Sequence, residues 1–429
     1  MNRFRYLIIG NSAGAVGCIE GIREVDPGGE IAVVSDEPHH VYSRALIPYY
    51  LAGKIGREKL FYRPEDFYAQ NGVVPLLGKK AVRLDPAAKE VELADGGRIG
   101  YGKLLLATGA GPFVPPVEGL KKRNVSSFLS LDDVLAVEER LPSVKNAAVL
   151  GGGVIGLMAA EVLKKKGKNV FVLELAKRVL APVVDETASG IVEELFAANG
   201  IKIYTGTTIR EVAGGEELEG LVLTDGRSLP CDLLILAVGV VPRTELAREA
   251  SLAVNRGIVV DRGMRTSAPD VYACGDCAEV YDFTAGSPRL LPLWPNAYSG
   301  GKTAGANMAG EKREFSLATG MNAMHFFDYY IINAGVNVTQ DNSGGFEVLS
   351  SLDEEARTYR KFALRDRRLK GFVLAGEVAR AGIFLHLMRK EIDVGAFAEA
   401  LLKKDFGYAD LPAELRWELL KDDVVLGVV

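Results

Sequence analysis

Short apolar runs broken by glycine recur along the chain and predict an α/β fold. Residues 6–9 form a compact apolar run, as expected of a buried parallel strand. The small-residue turn Gly10-Asn-Ser-Ala-Gly14-Ala15 follows, then a helix to about Val25. A β-branched run at residues 31–34 ends in Asp36 and Glu37. The same order returns more cleanly further on. A strand at 147–150 leads into Gly151, Gly153 and Gly156, a helix spans about 154–166, and a strand at 169–173 ends in Glu174. Between the repeats, residues 73–77, 81–84 and 91–93 read as strands, with Ala94-Asp-Gly-Gly97 as a hairpin turn. Residues 101–109 form a buried strand closing on Ala107-Thr108-Gly109. Prolines at 112, 115 and 116 mark a linker. After the second repeat, strands fall at 202–204, 221–223 and 233–238, the last ending near Gly239. Further strands lie within 257–261 and from Val271, and a small-residue helix covers 297–308. From about Ser316 the pattern changes to antiparallel strands at 324–333, 346–349, 357–364 and 369–374, followed by helices near 378–390 and 395–404.

The repeated strand–turn–helix–strand–acid unit has a specific use. The first glycine makes a tight turn, and small residues let backbone N–H groups approach a pyrophosphate. The helix N-terminus attracts the anion, and the later acid accepts ribose hydroxyls. The first unit departs from Gly-x-Gly-x-x-Gly, with Ser12 at the second position and Ala15 at the third. Alone it is balanced against an ordinary buried βαβ turn. The second unit is complete, and two such units in one chain imply two dinucleotides. Arg44 is a candidate for a cofactor phosphate or carbonyl, against the reading of a surface arginine. Asp276, at a strand end in Ala273-Cys-Gly275-Asp276-Cys277, suits a sugar or polyol hydroxyl; a helix cap is the alternative, and the two roles coexist. The helix from Ala297 is placed to aim positive N–H groups at an anionic ring.

A chain of 429 residues with 48% hydrophobic content supports two or three domains. The net charge of −5, with no basic block, argues against nucleic acid and anionic lipid as partners. Four cysteines, at 18, 231, 274 and 277, are too few and scattered for a disulfide framework. No run of 18 apolar residues occurs, and the brief run after Arg5 is too short for a signal sequence. A cytoplasmic protein that neither enters nor binds membrane is expected.

The motifs Gly10-x-Ser-x-Gly14, Ala107-Thr-Gly109, Gly151/Gly153/Gly156, Gly239-x-x-Pro242 and Ala273-Cys-Gly275-Asp276, in that order over roughly residues 1–310, resemble the pyridine nucleotide–disulfide oxidoreductases. The Tyr42-Ser-Arg44…Leu51-Ala-Gly53 element is similar to the subgroup of rubredoxin and ferredoxin reductases and the flavin module of nitrite reductase large subunits. The resemblance implies two Rossmann-like three-layer domains and a C-terminal α+β interface domain. FAD would be held by residues 1–112 and 246–315, NAD(P)H by 113–245, with 316–429 as the third domain. Gly10, Ser12, Ala13 and Gly14 would cradle the FAD pyrophosphate, Asp36 or Glu37 would hold its ribose, and Ala81 would meet adenine. Arg44, Ala107, Thr108, Gly109, Gly275, Asp276 and Ala297 would complete that site. Gly151, Gly153, Ile155, Gly156, Glu174 and Gly239 would hold the nicotinamide dinucleotide, with Glu174 favouring NADH and Lys177 and Arg178 weakening that preference.

The departures shape the expected chemistry. Residues 41–60 hold no cysteine, so a flavin-to-dithiol relay is not expected. Cys274-x-x-Cys277 reads as small residues flanking Asp276 rather than as a redox pair. His325 and His386 read as packing residues, not as the disulfide reductases' base. Met158 stands where relatives often have Glu, with Glu161 one turn on. The expectation is hydride transfer from NADH to FAD with no side-chain acid or base. Electrons would then pass to a small redox protein such as rubredoxin or another iron–sulfur protein. An NADH oxidase using O₂, a disulfide or persulfide reductase, and a flavin subunit of a larger complex are the rivals. A homodimer is compatible with this reading.

Overall fold

The computed structural model describes residues 2–342 and 344–421. The chain divides into two compact units, one formed by Met1–Lys177 with Phe196–Thr319, the other by Arg178–Leu195 with Gly320–Val429.

The larger unit is organised by two sheets. In the first, strands run in the order Val73–Leu77, Ile31–Ser35, Asn2–Ile9, Arg98–Leu106, Glu90–Leu93 and Ala81–Asp85, with Val271–Ala273 also pairing to Arg98–Leu106. The strands at 2–9, 31–35, 73–77, 98–106 and 271–273 are parallel. Their register decides where chemistry can gather. Ile9 pairs with Val34 and Leu106, and Leu106 with Ala273. Gly10, Ser35-Asp36, Ala107 and Cys274 therefore emerge together at one carboxyl edge, the place where open α/β sheets bind ligands. The second sheet orders Lys202–Thr205, Asn169–Glu174, Asn146–Leu150, Leu233–Leu236 and Val125–Ser127. Leu150 pairs with both Leu173 and Leu236, so Gly151, Glu174 and Ala237 share an edge in the same way. A two-stranded ribbon, Ala110–Pro112 against Val240–Pro242, joins the segments that follow these sheets.

The fingerprint helices occur where the pattern places them, at Ala13–Val25 and Val154–Lys165. A feature not visible in the apolar pattern is how the first of them is buried. It packs backbone to backbone against the helix Trp294–Met308 through glycines on both. A Cβ at Gly301 would lie 2.0 Å from the Gly14 carbonyl oxygen, one at Gly305 2.1 Å from that of Cys18, and one at Gly17 2.1 Å from that of Tyr298. Only glycine permits such an approach, and it fixes one helix N-terminus relative to the other. The second helix starts at Trp294, three residues earlier than the sequence suggested, because Pro295 in its first turn suits a helix start. As a result the Ala297 N–H is already taken by the Leu293 carbonyl (3.0 Å) and is not free for an anionic ring.

The smaller unit carries a five-stranded antiparallel sheet in the order Met321–Phe326, Tyr329–Gly335, Arg368–Ala375, Thr358–Arg365 and Glu347–Asp353. The apolar run at 324–333 predicts one strand; the structure splits it into a hairpin. Phe327 and Asp328 form the two-residue turn, both left-handed at φ 45° and 66°. Such a turn usually advertises itself with Asn-Gly or Asp-Gly, and Phe-Asp gives no such signal. Of the two helices expected beyond the sheet, one is Ala381–Arg389, and the other is a 3-10 segment, Ala398–Leu402. Phe384 packs on Phe362, Phe372 and Phe406, with ring centroids 4.7, 5.8 and 5.5 Å away. Residues 178–195, expected within the nucleotide domain, group with this unit because Asp185 is buried there. Its Oδ2 accepts from Tyr359 (2.6 Å) and Lys361 (2.7 Å), a pairing that offsets the cost of burying both charges.

Candidate functional site

The carboxyl edge of the first sheet opens into a cavity of about 300 Å³. Gly10, Ser12, Ala13, Gly14, Asp36, Glu37, Arg44, Ala107, Thr108, Gly109, Gly275, Asp276 and Ala297 all border it, as the sequence anticipates, and Ile155 reaches it from the second fingerprint helix. Ala81 lies in an adjoining cavity bordered also by Gly10, Asp36, Thr108 and Arg243.

Local geometry explains each position. Gly10 turns with φ 111°, and a Cβ there would meet the Ala107 carbonyl oxygen at 2.0 Å. The turn thus needs glycine for both conformation and closeness. The helix it opens has Ser12 as N-cap with no side-chain cap hydrogen bond and no acid in its first turn, leaving its first N–H groups and positive end to an incoming anion. The two acids after the second strand do different things. Glu37 accepts from the Tyr42 hydroxyl (2.6 Å) and from Arg44, whose other amino group donates to the Leu129 carbonyl (2.9 Å). Glu37 and Arg44 therefore hold each other. Asp36 is half exposed and borders both cavities, with Arg243 at 3.3 Å as its partner. Asp276 has no hydrogen-bond partner among the described residues. Burial raises its carboxyl above the ordinary aspartate range, and Arg44 opposes that rise. A carboxylate placed in this way suits a polyol hydroxyl, so this donor set fits FAD.

At the second edge, Gly151 turns with φ 110°, and a Cβ on it would lie 2.3 Å from the Ala237 carbonyl oxygen. Gly156 is tighter still, 2.0 Å from the Gly151 carbonyl oxygen. Gly153 caps the helix and has open space on its Cβ side, where a phosphate needs it. The Glu174 carboxylate accepts the N–H of Gly152 (2.6 Å) and of Ala176 (2.7 Å), which fixes it beside the glycine turn. Gly239 turns at φ 102° and accepts the Phe113 N–H in the loop after the last strand of this sheet. These residues fit a second dinucleotide. Arg178 has its guanidinium engaged by Glu186 (3.4 Å).

Motif reading passed over several of the cavity's borders: Ile47, Pro48, Phe128, Leu129, Pro292 and the guanidinium of Arg243. Phe128 and Leu129 sit between elements with no signature. Arg243 follows the Gly239-x-x-Pro242 motif, which was its one available signal. Met158 and Ile155 border the cavity beside Ile47 and Pro48, making an apolar wall. Glu161 is buried and paired with Lys165, and it does not border the cavity.

The cysteines are unpaired and buried. Cys274 and Cys277 are both fully buried, and the Cys277 thiol donates to the Cys274 carbonyl (3.3 Å). Burial pushes both thiols up, opposite to a reactive thiolate, and pushes Cys231 up to about 12. A thiol reagent such as DTNB is expected to titrate none of the four in the native protein over minutes, and all four in denaturant. Rapid reaction of two native thiols would reveal a redox pair. His325 stacks on Tyr330 (4.4 Å) and His386 meets Tyr408 edge-on (6.5 Å), both as packing residues. Among the described residues, no helix is long and apolar enough to cross a membrane.

Comparison with known proteins agrees with this arrangement. The model of the pyridine nucleotide-disulphide oxidoreductases matches residues 4–301, and that of the rubredoxin NAD+ reductase C-terminal domain matches residues 321–392, where no motif was legible. The chain is 34% identical to the NADH-dependent phenylglyoxylate dehydrogenase subunit epsilon of Aromatoleum evansii over 91% of its own length and 92% of that protein's. It is 32% identical to the rubredoxin-NAD(+) reductase of Pseudomonas putida, covering 71% of this chain and 80% of that one. Among solved structures it is similar to the ferredoxin reductase for the CYP199A2 system of Rhodopseudomonas palustris, with a TM-score of 0.84, 28% identity, and coverage of 93% and 98%. An FAD-containing, NAD(P)H-dependent oxidoreductase follows from that kinship, and the chain belongs to the pyridine nucleotide-disulphide oxidoreductase family.

Proposed function

We propose that the protein carries electrons from NADH through FAD to a small iron–sulfur protein such as rubredoxin, with no cysteine relay. The carrying observation is the apolar wall of Ile47, Pro48, Ile155 and Met158 bordering a cavity at which, among the described residues, Cys274 is the one cysteine and is fully buried. FAD supplies the redox chemistry when bound, accepting a hydride and releasing electrons. The chain's own part is placement. Gly10, Ser12, Ala13 and Gly14 receive the pyrophosphate, with Ala107, Thr108 and Gly109 closing over it. Asp36 takes the adenosine ribose, since Glu37 is committed to Tyr42 and Arg44, and Ala81 borders the adenine. Gly275 and Asp276 receive the ribityl chain. Gly151, Gly153, Gly156 and Gly239 would shape the second site, and Ile155 and Met158 would give the cleft an apolar side toward the bound cofactors.

Residues 1–112 and 246–315 are proposed for FAD, 113–245 for NADH and 316–429 as the third domain, with residues 178–195 of the second span grouping with the smaller unit. Sheet membership supports the discontinuous first domain, because Val271–Ala273 joins the strands of residues 2–106. A cytoplasmic location accords with four unpaired cysteines. A homodimer is an outcome to measure, not a requirement of the site.

Glu174 is placed to hold the ribose of NADH. Hydrogen bonds to a charged group contribute about 1.5–3 kcal/mol each. Glu174→Ala is therefore expected to lower kcat/KM for NADH by roughly 10- to 100-fold, with little change for NADPH, whose 2′-phosphate the carboxylate repels. Parallel loss with both nucleotides would remove Glu174 from the specificity role.

A second reading is favoured by the match along almost the whole of the Aromatoleum subunit: an electron-transfer subunit of a larger dehydrogenase. Reoxidation of the NADH-reduced protein separates the readings. Fast reoxidation by rubredoxin and slow reoxidation by air support the proposal. Fast reoxidation by air alone marks an NADH oxidase. Slow reoxidation by both, with a co-purifying partner, favours the subunit.

A further inference from the structure

Among the described residues, Arg243 is the one cationic side chain that borders both cavities. Its backbone is pinned. The N–H donates to the Gly109 carbonyl (2.9 Å), the carbonyl accepts the Thr108 hydroxyl (2.7 Å), and Pro242 pairs with Ala110 in the two-stranded ribbon. The side chain is not pinned. It passes over Gly111, where a Cβ would sit 3.6 Å from its Nε, and the side chain is 42% exposed. Among the described residues its ion-pair partner is Asp36, at 3.3 Å and 45% exposed, a weak surface pair in solvent. The other cations at the cavities differ. Arg44 is held by Glu37 and the Leu129 carbonyl, Lys79 pairs with Asp95, and Lys80 borders only the second cavity.

The acids around the site make a cation necessary. Asp36, Glu37 and Asp276 border the first cavity, and Glu245 and Glu249 join Asp36 at the second. A diphosphate brought into this ring of carboxylates needs more than helix N–H groups for compensation. We propose that Arg243 is a positioning residue that changes partner as FAD binds. The ribose hydroxyls claim Asp36, and the released guanidinium turns to the pyrophosphate, where a charge-assisted pair to phosphate outweighs the surface pair given up. Arg243 then acts as a latch across the threaded cofactor, slowing its departure. This rests on the FAD assignment of the first site.

The test is the release of FAD from diluted holoenzyme, followed by the rise of free-flavin fluorescence at low and at high NaCl. It compares wild type, Arg243→Lys and Arg243→Met, with circular dichroism of each FAD-saturated variant to check folding. The expected result is release at least tenfold faster from Arg243→Met, with an intermediate rate for Arg243→Lys. Salt should accelerate release from wild type and have much less effect on Arg243→Met. Release from a folded Arg243→Met protein at the wild-type rate, or more slowly, overturns the proposal; slower release would mean that Arg243 only competes for Asp36. Faster release with unchanged salt dependence also overturns it, pointing to packing alone. A wild-type protein that retains no FAD would instead sink the assignment beneath it.

Discussion

In Gly156→Ala protein, FAD stays bound but NADH reduces it at least 100-fold more slowly. The new methyl would lie 2.0 Å from the Gly151 carbonyl oxygen and 3.3 Å from the Ala237 Cβ. The first of these partners is backbone at the tightest point of the second fingerprint, so the helix Val154–Lys165 must shift away from its strand. That helix carries Ile155 and Met158 to the cleft, and its N-terminus is proposed to receive the dinucleotide. A misplacement near 1 Å of groups that orient reactants is enough to cost about 3 kcal/mol, or two powers of ten in rate. Gly153→Ala is the control, because nothing lies within 4 Å of a Cβ there and the backbone is ordinary at φ −77°. The chain is expected to fold unchanged with that substitution, and any loss comes from a methyl facing the incoming phosphate. Stopped-flow reduction of both variants by NADH checks the pair. Equal rates in Gly156→Ala and wild type would show that the second turn does not place NADH.

Gly301→Ala has the opposite signature: the protein loses FAD and melts at lower temperature. Its methyl would meet the Gly14 carbonyl oxygen at 2.0 Å, with the Gly14 Cα at 3.0 Å. The two helices cannot repack around it cheaply, since the contact repeats at Gly305 on Cys18 and at Gly17 on Tyr298. Forcing one carbon into a close-packed interface costs about 1–3 kcal/mol or more. Separating these helices also displaces the N-terminus proposed to receive the pyrophosphate and the Trp294 end that borders the same cavity. Calorimetry and the flavin absorbance of the purified variant test this. A variant with full flavin content and an unchanged melting temperature would show the helix contact to be looser than the structure has it.

The two nucleotide turns were legible because their chemistry is local. A strand, a glycine with positive φ, a helix N-terminus and an acid at a fixed distance all lie within about thirty residues. The register of parallel strands then brings Gly10, Ala107 and Cys274 to one edge, and the motif order anticipates this. Long-range packing was not legible. The glycines of 297–308 read as a small-residue helix, but that Gly301 and Gly305 face Gly14 and Cys18 depends on a contact across nearly 300 residues. Arg243 borders both cavities only because the ribbon with Ala110–Pro112 carries it there. The proposal of Asp36 over Glu37 rests on Tyr42 and Arg44, whose side chains close on Glu37 in the folded chain. The hairpin at Phe327-Asp328 was missed because neither residue announces positive φ.

One chain is proposed to hold FAD and NADH so that a hydride passes between them. Anaerobic titration of the purified protein with NADH, followed by visible absorption, tests it most directly. The expected result is a flavin spectrum bleached by one equivalent of NADH. A flavin spectrum left unchanged by both NADH and NADPH would contradict the claim, with Met158 the first residue to examine. A colourless protein that cannot take up FAD would contradict the assignment built on Gly10 and Asp276.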